Sequence, residues 1–70
     1  MNTNQREKLK TLIAYWIHHN EEHALEFRDW IKVVKTSGDT KISLALEKAA
    51  VQMAKVNEPL SQILTILEGA

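Results

Sequence analysis

The stretch TSGDTK, Thr36 to Lys41, decides how this chain folds. Gly38 is its only mid-sequence glycine and suits the left-handed position that follows a helix. Asp39 or Thr40 can then accept from the first free amides of a second helix. The segment therefore reads as a hinge, Ser37-Gly38-Asp39, between two helical arms.

On the N-terminal side runs the series Leu9, Ile13, Trp16, Asn20, His23, Phe27, Trp30 and Val34. On the C-terminal side runs Ile42, Leu46, Ala49, Met53, Val56, Leu60, Ile63 and Leu67. Both alternate steps of four and three, the spacing of a helix seam packed on a partner. No segment sustains the alternation of a half-buried strand. Reflection about Gly38 pairs Val34 with Ile42, Trp30 with Leu46, Phe27 with Ala49, and so on to Leu9 with Leu67. The aromatic residues Trp16, Phe27 and Trp30 are expected in the core. An antiparallel helical arrangement follows.

Each arm also carries a signal that predicts an interruption. Asn20 stands before Glu21 and Glu22, a good cap followed by acids that a helix N-terminus favours. In the second arm Asn57 precedes Pro59, which is tolerated in a first turn and costs ~3 kcal/mol in a helix interior. The two signals fall at matching heights. If both arms break, four short helices near 4–18, 20–36, 40–56 and 58–68 form a compact bundle. If an arm merely bends, a long hairpin results, and it would pair with a second copy as a four-helix bundle. Further apolar positions (Leu12, Ile17, Ala24, Ile31, Leu44, Val51, Leu64) widen the stripe beyond what one seam covers. The expectation is an all-α fold, a small antiparallel bundle of three to four helices in one domain over residues 1–70.

Composition narrows the function classes. Seventy residues leave a thin stability margin, and self-association is one remedy. Nine basic and nine acidic residues cancel, so no electrostatic footprint for nucleic acid is expected. Cysteine is absent, which removes disulfides and thiolate ligands. No apolar run has membrane-spanning length and the polar N-terminus lacks a signal core, so a cytoplasmic location is expected.

One segment, WIHHNEEHALEF from Trp16 to Phe27, concentrates titratable groups. On a continuous helix His19, Glu22, His23 and Glu26 share a stripe, with two imidazoles at i and i+4. That set is the candidate metal site, for Ni²⁺, Co²⁺ or Zn²⁺. His18 lies about 100° away around the helix. The zinc-protease pattern requires a glutamate directly after the first histidine, where Asn20 stands, and the di-iron pattern requires a glutamate three residues before each histidine. Neither is met. The bland alternative makes His23 a partly buried seam residue and His19 a helix-end cation. The three serines have no His–acid partners suggested by sequence, and no glycine-rich phosphate loop is present, so no enzyme activity is expected.

The core YWIHHNEEHALEFRDW resembles a small family of uncharacterised microbial helical domains, whose pattern is close to H-W-x-x-H-N-E-E-H-A followed by F and W. Trp16, His19, Asn20, His23, Ala24, Phe27 and Trp30 match it. Tyr15 stands where the pattern has histidine, which removes one rung of a histidine ladder. The resemblance implies a helical fold and, through such a ladder, the handling of a metal such as nickel or cobalt. The functional expectation is a non-enzymatic interaction module, a homodimer or a binder of another protein. Its rival is a small metal-binding or metal-sensing domain using His19 and His23.

Overall fold

The computed structural model describes residues 1–69. It consists of two helices, α1 (Thr3–Ser37) and α2 (Thr40–Gly69), packed side by side as an antiparallel hairpin. The expected count of three to four helices is corrected to two, because neither arm breaks. The hairpin is a rod of 53 × 14 × 14 Å. Its length matches the roughly 52 Å that a 35-residue helix spans at 1.5 Å per residue.

The hinge forms where the local chemistry placed it. Gly38 sits at φ 82°, and its N–H donates to the Lys35 carbonyl while Asp39 N–H donates to Val34. This pair of bonds closes a Schellman motif and satisfies two carbonyls that the end of α1 would leave unpaired. Asp39 then caps α2, its carboxylate accepting from Ile42 N–H at 3.4 Å. At the other end of α1, Asn2 and Gln5 form a reciprocal capping box.

Asn20 and Asn57 are the reason the arms stay whole. Asn20 Nδ2 donates to Asn57 Oδ1 at 3.0 Å, and Asn57 Nδ2 donates to the Ile17 carbonyl at 3.2 Å. Each amide is spent across the hairpin and neither caps a new helix. Pro59 remains inside α2 on an exposed position. Its missing N–H costs ~3 kcal/mol, which packing on both sides of it offsets: Asn57, Leu60, Leu64 and Leu67 all face α1, with Leu67 buried.

The seam itself is rotated from the expected one. The inward stripe of α1 is Ile13, Ile17, Asn20, Ala24, Phe27, Ile31 and Val34, with Ile13, Ala24 and Ile31 buried and Arg6, Leu9, Lys10 and His23 half-buried at its margin. On α2 it is Ser43, Leu46, Ala50, Met53, Asn57, Leu60, Leu64 and Leu67, with Glu47 and Ala49 half-buried at its margin. Every second member is shifted by one residue from the apolar series: Ile17, Ala24 and Ile31 replace Trp16, His23 and Trp30, while Ser43, Ala50, Asn57 and Leu64 replace Ile42, Ala49, Val56 and Ile63. A one-residue step is 100° around a helix, so each apolar stripe is centred about 50° away from the neighbouring helix. The expectation that Trp16 and Trp30 are core residues is corrected: they are 42% and 61% exposed.

Candidate functional site

In an antiparallel pair, equal rotations along the two chains carry both stripes toward the same broad face. That face gathers Leu9, Leu12, Trp16, His23 and Trp30 of α1 with Ile42, Ala49, Val56 and Ile63 of α2. Ile42 and Val56 are 50% and 48% exposed. The opposite face carries Glu7, Glu21, Arg28 and Lys35 beside Glu47, Ser61 and Glu68. There Lys35 Nζ meets Glu47 at 2.9 Å across the two helices, which fixes these positions on one side. The hairpin thus has one broad face that is apolar along its centre, while the opposite face mixes these charged residues with exposed Leu25 and Leu44.

The histidine segment lies at the middle of α1, on the margin of the apolar face. His19 Nε2 and His23 Nε2 approach to 2.9 Å, one donating and the other accepting. The two rings meet edge to face, with centroids 4.4 Å apart. Tyr15 stacks on His19 at 5.6 Å, and Phe27 lies 6.4 Å beyond His23. Steps of four advance 40° around a helix, so this aromatic ladder winds from the outer surface at Tyr15, over the apolar face at His23, into the seam at Phe27.

The four residues proposed as metal ligands are only partly brought together. His19 and His23 converge. Glu26 lies 3.8 Å from His23 Nδ1, on the side of the ring away from His19 and too far for a hydrogen bond. Glu22 turns to the other flank, where its carboxylate meets His18 Nε2 at 2.9 Å. Among the described residues, no group of three or more histidine, aspartate or glutamate side chains is placed to hold an ion within one chain.

Sequence reading expected a stripe wider than one seam, and the direction of the uncovered face is what it missed. Its signal was present as the offset between the apolar series and the secondary positions Ile17, Ala24 and Ile31, whose direction needs a neighbouring helix as reference. Among the described residues no helix is long and apolar enough to cross a membrane.

No curated protein and no solved structure matches the chain. Residues 9–67 match a family described as a domain of unknown function, DUF8180, and they take in the histidine segment and both stripes. The chain belongs to this family, DUF8180.

Proposed function

We propose that this chain is a non-enzymatic self-association module, in which two hairpins pair through their apolar faces as a four-helix bundle. The observation that carries the reading is the 50° displacement of both stripes toward one face. In a two-helix coil each stripe points at its neighbour. In a square four-helix bundle each helix points at the common axis, about 45° from either neighbour. The two apolar series of this chain have the second geometry.

Surface area supports the same reading. A compact protein of 8.0 kDa exposes about 4,450 Å². This hairpin exposes 5360 Å², an excess of about 900 Å². A standard protein interface covers about 800 Å² on each partner. The radius of gyration, 16.2 Å, is that of a rod 53 Å long.

Sedimentation equilibrium over a concentration series tests the proposal. The expected result is a mass that rises from 8.0 kDa to twice that value and stops. A single species of 8.0 kDa at every concentration would defeat it. A metal-binding reading is favoured by one observation, the convergence of the His19 and His23 Nε2 atoms.

A further inference from the structure

The imidazole pair gains a second meaning from its height on the hairpin. His19 and His23 are centred on position 21 of a helix, Thr3–Ser37, whose midpoint is position 20. Any two-fold axis that crosses the rods at mid-length, and so overlaps their apolar faces fully, passes beside this pair. If the copies stack with α1 against α1, the two imidazole pairs are offset by only about 3 Å along the bundle.

The geometry points to a divalent transition-metal site shared between two copies, with Nε2 of His19 and Nε2 of His23 from each as its four ligands. This inference rests on the paired assembly proposed above. Three observations support it. Two nitrogens each ~2.0–2.1 Å from one ion lie about 2.9 Å apart when they subtend 90°, and about 3.3 Å apart at the tetrahedral angle. The two Nε2 atoms stand 2.9 Å apart, so both can reach one ion with small ring movements. Glu26 lies on the Nδ1 side of His23, 3.8 Å away, and leaves Nε2 unobstructed.

The third observation is the incompleteness of the site. Two imidazoles alone hold an ion weakly, and no third His, Asp or Glu completes a ligand group within the described residues. The nearest carboxylates are placed elsewhere, Glu22 on His18 and Glu26 on the far nitrogen of His23. A second copy supplies the missing half by symmetry. All-imidazole coordination suits Zn²⁺, Ni²⁺, Co²⁺ or Cu²⁺ and disfavours Mg²⁺ and Ca²⁺.

The test titrates ZnCl₂, NiCl₂ and CoCl₂ into chelator-treated full-length protein by calorimetry, with sedimentation velocity in parallel. The expected result is one ion per two chains and a larger dimer fraction with at least one of the three. His19→Ala and His23→Ala should each weaken that binding about tenfold or more. Circular dichroism of both variants should stay helical, since neither side chain is buried in the hairpin. One ion per chain with no change in mass would overturn the shared site, as would equal affinity in the variants. A dimer that takes up no metal would remove the site and leave the self-association reading standing. A monomer with and without metal would remove both.

Discussion

Asn20 and Asn57 lie 37 positions apart in the chain and bond side chain to side chain at 3.0 Å, midway along the hairpin. Asn57 also donates to the Ile17 carbonyl, so the pair ties one turn of α1 to one turn of α2. Polar groups at a seam hold two helices in a single alignment, because any slip leaves them unpaired. Asn57→Ala should therefore cost about 1–3 kcal/mol. Replacing Asn20 and Asn57 together by leucine should cost less than the two single replacements summed. A double-mutant cycle by urea denaturation measures that coupling, and additive losses would mean the pair does not act as a unit.

Gly38 tests the hinge. Its φ of 82° lies in the left-handed region, and a Cβ there would meet nothing within 4 Å. The cost of Gly38→Ala is then backbone strain alone, about 1–2 kcal/mol. Gly38→Asn should cost less, since asparagine enters this region more readily. Thermal denaturation ranks the two variants, and an alanine variant as stable as the parent would contradict the hinge geometry.

Ile13 and Trp30 should separate folding from association. Ile13 is 1% exposed within the single hairpin, so Ile13→Ala should lose about 2–5 kcal/mol at every protein concentration. Trp30 lies on the uncovered face. Trp30→Ala should chiefly abolish the rise of melting temperature with concentration, a mass-action signature of assembly. Equal concentration dependence in Trp30→Ala and the parent would place Trp30 outside the interface.

The two broad faces should respond differently to charge. Val56→Asp puts an unpaired carboxylate at the centre of the apolar face and should block dimer formation. Arg28→Glu, on the polar face, should leave the mass unchanged. Light scattering on the two variants distinguishes them, and the reverse pattern would assign association to the charged side.

The hinge was legible because its chemistry is local. A glycine with positive φ and an aspartate cap need no knowledge of the rest of the fold. Asn20 and Asn57 were legible in position and misread in role. An asparagine that caps a helix and one that bonds across a seam look alike until the opposing side chain is known. Their matching heights were the sign of a cross-link, and two interruptions would not have required it. Trp16 and Trp30 were misplaced for a related reason. Periodicity fixes which residues share a stripe, and the number of helices around the axis decides where the stripe points. At the histidine segment, spacing identified the converging pair His19 and His23. It could not show that Glu22 leans toward His18, since a carboxylate at i+3 from one imidazole is also at i+4 from another.

Small-angle X-ray scattering reads mass and length together and bears most directly on the pairing of the apolar faces. The account predicts twice the mass of the 8.0 kDa chain with a longest dimension still near 53 Å. A particle of 8.0 kDa with a 16.2 Å radius of gyration at the highest concentration would contradict it, as would a doubled mass with a doubled length.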